Sequence, residues 1–160
     1  MPYDPQKAIA YAHQWAFARN SRYLNFAGIG GDCTNFISQC LYAGGAAMNY
    51  QRVFGWYYNS ANDRAPAWTG VEYLYNFLIA NKGMGPYAQP IEMGEVRPGD
   101  IIQLRFFKGH FSHSLFVVDV LPPKPTRKTI LVATHSDDSD NRPLSTYAAR
   151  EMRFLKIGAR

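Results

Sequence analysis

The stretch GGDCTNFISQCLYAGG, from Gly30 to Gly45, holds both cysteines of this 160-residue chain, Cys33 and Cys40. A thiol attacks as its thiolate, and a helix N-terminus favours that anion through free N–H groups and the positive end of the dipole. Cys33 stands at such a place. Gly30 and Gly31 precede it, and Asp32 is available as N-cap or first-turn anion. Phe36, Ile37, Cys40 and Leu41 follow at offsets of three, four, seven and eight, the spacing of a buried helical face. Gly44 and Gly45 end the pattern. Cys40 lies on the buried face and reads as a packed core thiol. Seven helical residues put the two cysteines roughly 10 Å apart along the axis. A disulfide tolerates Cα separations of about 7 Å at most, so the two are not expected to pair with each other.

A thiol nucleophile needs a base, and the base needs a group to orient it. HSLFVVDVL, residues 113–121, and TILVATHS, residues 129–136, read as strands joined by the loop PPKPTRK. Paired antiparallel, they bring His113 close to His135 or Ser136 at one edge of the sheet. His113 would then take the thiol proton and pass it to a leaving amine. His135 would hold the imidazole in the right tautomer, or Asp137, Asp138 or Asn141 of the next loop would do so. A slip of one residue moves a side chain to the other face, and the spacing fits equally two strand histidines with no joint role.

The elements that must position these groups fall in two halves. Asp4 and Pro5 open a helix expected to run to about Asn20, with Ile9, Ala12, Ala16 and Phe17 at helical spacing and His13 on or beside that face. Residues 21–32 are a loop. Residues 46–70 read as irregular, and their aromatics Trp56, Tyr57, Tyr58 and Trp68 fit either a substrate groove or burial under a long loop. Residues 71–82 read as an amphipathic helix. Then the period changes: a turn at Pro98-Gly99-Asp100 leads into a strand, the two strands above follow, a short helix or turn lies near 145–150, and MRFLKIG is a last strand. Helices first and an antiparallel sheet after give an α+β fold. Gln103, an amide on an apolar strand, fits an edge hydrogen bond or an oxyanion contact.

Composition sets the outer bounds. A chain of this length with 47% hydrophobic and 15% aromatic residues suits one domain, spanning 1–160, with a real core. No apolar run approaches the ~20 residues of a bilayer span, and the N-terminal stretch lacks the basic start and apolar core of a signal peptide. No Cys-x-x-Cys pair or tight His/Cys cluster marks a zinc site, so no metal or cofactor is expected. The net charge of +5 favours anionic partners, but the scattered basic residues argue against specific nucleic-acid binding. Compartment and oligomeric state are not legible.

The Cys33 stretch resembles the cysteine motif of the putative amidase domain family, within the papain-like cysteine peptidase superfamily. More distantly it is similar to bacterial cell-wall hydrolases of the NlpC and CHAP types, whose Asp-Cys-Ser/Thr-x-Phe motif reads here Asp32-Cys33-Thr34-Asn35-Phe36. RPGDIIQL resembles the family's Pro-Gly-Asp approach to a strand, HSLFVV the strand that begins with the base, and THSDD the place of the third polar residue. YDPQKAIAYAHQWA and AWTGVEYLYNFL extend the likeness over nearly the whole chain. The resemblance implies a papain-like core with helices packed on an antiparallel sheet, and a cysteine-dependent hydrolase with Cys33 as nucleophile, His113 as base and His135 orienting it. It also implies an amide substrate in a peptide or peptidoglycan stem. Acyl transfer by the same residues, or a catalytically silent wall- or glycan-binding module, are the alternatives. The upstream tyrosine that NlpC-type enzymes often carry has Tyr23 as its nearest counterpart, a residue that fits a packing role equally.

Overall fold

Asp4 accepts hydrogen bonds from the backbone N–H groups of Gln6 and Lys7, and Pro5 has no N–H to satisfy, so helix α1 runs Pro5–Trp15. It stops short of Asn20 because the Trp15 carbonyl accepts from the Ala18 amide in a tight turn and from His135 Nε2 at 2.8 Å. The computed structural model describes residues 2–160. Helix α2, Cys33–Ala43, is buried from Cys33 through Leu41. The 46–70 segment holds a small hairpin, β1 Tyr58–Ser60 and β2 Asp63–Arg64, and a short helix α3, Pro66–Thr69. Helix α4 is Val71–Ala80.

Six further strands, all antiparallel, form the main sheet: β3 Pro86–Ile91, β4 Ile101–Arg105, β5 His113–Val120, β6 Ile130–Thr134, β7 Ser139–Pro143 and β8 Glu151–Ala159. Their order is β3-β8-β4-β5-β6-β7, so β5, which begins at His113, is central. The fold is α+β, as the pattern of periods implied. Two strands escaped that pattern. β3 contains two prolines, which a sheet tolerates at its edge, and β7, SDNRP, is a polar strand at the opposite edge.

The sheet is apolar on both faces. On one, α1 and α2 pack through Ala8, Ala12, Phe36 and Leu41 against a cluster that includes Ile101, Phe116, Val118 and Ala133. On the other, Ile102, Leu104, Leu115, Val117 and Val132 are closed over by Leu144 and Tyr147. Successive strand residues point to opposite faces. Ser114, Phe116 and Val118 therefore look toward the helices, while His113, Leu115 and Val117 look away.

Candidate active site

Cys33 is the first residue of α2 and is buried, 6% exposed. Its sulfur lies 3.8 Å from Thr34 Oγ1 and faces the backbone N–H of Ser114, the peptide that joins it to His113. Burial pushes the thiol above its ordinary pKa. The Ser114 amide, the Thr34 hydroxyl and the Thr34 amide oppose that rise, and the charge of Asp32 adds to it. Cys40 is wholly buried within α2 and burial holds its thiol protonated. Both cysteines are free thiols.

Asp32 does not cap the helix: its side chain makes no capping bond. Its Oδ1 accepts from the Phe26 backbone N–H at 2.8 Å and from Asn35 Nδ2 at 3.0 Å, and its Oδ2 pairs with His135 Nδ1 at 2.5 Å. Arg19 Nε approaches the same oxygen at 3.2 Å without hydrogen-bond alignment. Burial alone would raise this carboxyl's pKa. Bonds from His135, Asn35 and Phe26 outweigh it and hold the group below its ordinary value. Contacts from the loop after α1, from the 20s loop and from the turn after β6 thus converge on the residue before Cys33.

His135 is engaged on both nitrogens. Nδ1 faces Asp32 and Nε2 faces the Trp15 carbonyl, while the ring stacks on Phe36 with centroids 4.2 Å apart. Oxygen partners on both sides fix the orientation of the ring. The expected contact from His135 to His113 is absent among the described residues. The register explains why. Phe116 pairs with Ala133 and Val117 with Val132, and the same register sets Ser114 across from His135 and His113 across from Ser136. The Thr134 hydroxyl accordingly donates to the Ser114 carbonyl at 2.8 Å. His135 shares the helix-packed face with Ser114. His113 lies on the other face, its ring 5.9 Å from that of Tyr147 and 6.4 Å from that of Phe106. Burial, with the nearby Arg142 charge, lowers its pKa to about 4, and its ring nitrogens have no hydrogen-bond partner among the described residues. The structure thus brings Cys33 and His135 together around Asp32 and leaves the His113 side chain one face away, though its peptide touches the sulfur's surroundings.

The remaining candidates are placed as plainly. Asp138 forms a two-pronged ion pair with Arg19 at 2.8 and 3.0 Å. Asp137 is exposed and 3.6 Å from Arg142, and Asn141 is an exposed residue with φ of 52°. None of the three contacts His113 by hydrogen bond. His13 is an exposed partner of Asp140 at 2.8 Å, not a core residue. Tyr23 stacks on Trp68 as packing. Trp56, Tyr58 and Trp68 are buried, with the indole N–H groups given to Ser38 and Asn35, so they are core and do not line a groove. Gln103 is fully buried and both ends of its amide are engaged: Nε2 donates to the Val71 carbonyl and Ser114 Oγ, and Oε1 accepts from Arg153. It is not free to meet an oxyanion. Local pattern missed Thr34, Ser114 and Arg153; the polar Ser114 inside an apolar strand was the one visible signal.

Residues 2–157 match the family Amidase_6, described as the Putative amidase domain, and the chain belongs to that family. It is similar to the uncharacterized protein YhbB of Bacillus subtilis (strain 168), with 37% identity over 120 residues, a match that covers 72% of this chain and 37% of that protein. The chain therefore spans well under half the length of that relative. No solved structure matches it.

Proposed function

We propose, with membership of this amidase family as the premise, that the chain hydrolyses an amide bond through the Cys33 thiol, in a peptide or a peptidoglycan stem. The observation that carries the reading is the place of Cys33: a thiol at the first position of a buried helix, with the Thr34 hydroxyl 3.8 Å from its sulfur and the Ser114 and Thr34 amides lowering its pKa against burial. Such donors stabilise a thiolate and the negative oxygen of a tetrahedral intermediate alike.

In the proposed reaction His113 accepts the thiol proton. In its resting place burial lowers its pKa to about 4 and keeps the ring neutral near pH 7; the base role calls for the higher basicity of a less buried position. This role requires the imidazole, which lies beside Phe106 and Tyr147 on the opposite face, to turn toward the sulfur at the start of the strand. Cys33 Sγ then bonds to the carbonyl carbon, the C–N bond breaks, and His113 gives its proton to the departing amine. Water attacks the thioester, releasing the acid and restoring the thiol. His135 acts at one remove, through Asp32, by holding the turn from which Cys33 projects. The resemblance of the Asp32-Cys33-Thr34-Asn35-Phe36 motif to papain-like hydrolases supports these roles, and the net charge of +5 suits an anionic wall polymer.

The test is mass spectrometry of a panel of peptides and peptidoglycan fragments incubated with the protein, beside Cys33→Ala. Cleavage lost in Cys33→Ala is the expected result. Cleavage undiminished in that variant would end the thiol mechanism.

A further inference from the structure

Cys33 is the inner end of a line of hydrogen bonds that starts at a half-exposed ion pair. Arg153 of β8 pairs with Glu72 of α4 and lies over the rings of Tyr75 and Phe111, 3.5 and 3.9 Å from their centroids. Its guanidinium donates to Gln103 Oε1 twice, at 2.9 and 2.6 Å. A guanidinium has donors only, so Gln103 must turn its oxygen outward and its NH2 group inward. Gln103 Nε2 donates to the Val71 carbonyl at 3.1 Å and to Ser114 Oγ at 3.2 Å. Ser114 Oγ is 3.0 Å from Thr34 Oγ1, and Thr34 Oγ1 is 3.8 Å from Cys33 Sγ. Gln103, Ser114 and Thr34 are all 1% exposed or less.

Counting protons sets the direction of the line. Ser114 Oγ receives an N–H from Gln103, and its own proton has one acceptor within reach, Thr34 Oγ1. The Thr34 proton then goes to the sulfur. Were Thr34 to donate to Ser114 instead, the Ser114 proton would be buried with no acceptor, the arrangement folded proteins avoid. We propose that Arg153, Gln103, Ser114 and Thr34 form a polarised relay, every donor pointing inward, that presents a hydrogen bond to Cys33 Sγ and favours its thiolate. A bond to sulfur strengthens as the sulfur gains charge, so the relay acts on the nucleophile as it forms. Thr34 touches the reacting atom; the other three are positioning residues. The proposal rests on Cys33 being the nucleophile.

The relay is read without any substrate, from the pH dependence of iodoacetamide alkylation at Cys33, mapped by mass spectrometry. Thr34→Val removes the last donor at nearly constant shape. Its inflection should move up by about one pH unit, which is about tenfold slower alkylation below the inflection, and Thr34→Ser should restore it. Gln103→Glu keeps the pair with Arg153 but offers Ser114 an acceptor. The Ser114 and Thr34 protons then turn outward, and the inflection should rise by a similar amount. In a Thr34→Val background Gln103→Glu should add nothing, whereas a negative charge acting through space would add its full effect. Circular dichroism and melting identify the folded variants. An unmoved inflection in folded Thr34→Val or Gln103→Glu, or additivity in the double variant, overturns the relay. Should those variants not fold, Arg153→Met at the outer end carries the test: a smaller upward move supports the relay and an unmoved inflection refutes it. The nucleophile reading fails by a different sign, hydrolysis that survives Cys33→Ala, which leaves the alkylation result standing.

Discussion

On the helix-packed face of the sheet, Ser114, Gln103 and His135 have every side-chain polar atom in a hydrogen bond. One residue along the same strand, on the opposite face, His113 has no partner, and the Tyr147 hydroxyl beside it is buried without one. The two faces differ in what they can do. A side chain with all its bonds made is held in place and serves by positioning others. A buried imidazole with neither nitrogen hydrogen-bonded is not fixed by such bonds, and its burial disfavours the protonated form. The helix-packed face holds the surroundings of Cys33 in place; the other face leaves His113, the proposed base, without a hydrogen bond.

The comparison breaks most visibly if the two histidines behave alike. His113→Ala should lower kcat/KM for the amide substrate by about 10²–10⁴-fold, with a much smaller loss of stability than the matching change at His135. Similar kinetic losses in the two variants would remove the distinction. His135→Ala strands the buried Asp32 carboxylate, and breaking a buried pair this way costs about 3 kcal/mol or more. Urea unfolding should show it as a lower midpoint with the same slope; a midpoint within experimental error of the unmutated protein would mean that Arg19 and Asn35 hold Asp32 without help.

Acid sharpens the comparison. The His113 pKa is lowered from 6.5 to about 4, so between those values the unfolded chain binds a proton that the folded chain refuses. Stability should therefore fall as pH drops through that window, by up to about 3 kcal/mol in all. Asp32, also lowered, contributes stability that is present above the unfolded carboxyl value of 3.8 and is lost as pH falls through its folded value. Denaturant midpoints measured at neutral pH and at several points down to pH 4 should flatten in His113→Gln; an unchanged slope would assign the loss to another group. The smallest effect belongs to Tyr147→Phe. The hydroxyl it removes makes no well-aligned hydrogen bond, although Ser139 and Arg142 stand near it, so stability should change by no more than about 1 kcal/mol. A clear loss in thermal melting would mean that the hydroxyl is engaged after all.

Helix α2 was legible to within a residue, because its apolar spacing and its flanking glycines are local signals. The pairing of β5 with β6 was legible too. Which face His113 occupies was not, because β5 is buried on both sides: Leu115 and Val117 are as apolar as Phe116 and Val118, so alternation offers no preference. A difference of one residue in the register then separates the two histidines. Asp32 read as a helix cap because the residue before a helix commonly is one. Its actual partner is 103 residues away, beyond any local pattern. The relay was hidden for the same reason, since Thr34 and Ser114 are 80 positions apart and Gln103 and Arg153 are 50.

Those separations also order the assembly of the molecule in time. The tie among Trp15, Asp32 and His135 spans 120 positions at its widest, and contacts of such range close late because the loop entropy must be met first. As the chain emerges from the ribosome, the helix that carries the thiol is complete before a hundred further residues have been made. Its surroundings close only when residue 135 arrives, and the hydrogen bond to its sulfur is backed by a cation only when residue 153 does. A chain cut before residue 135 would carry Cys33 without the Asp32–His135 tie, and one cut before residue 153 would lack the Arg153–Gln103 bonds as well.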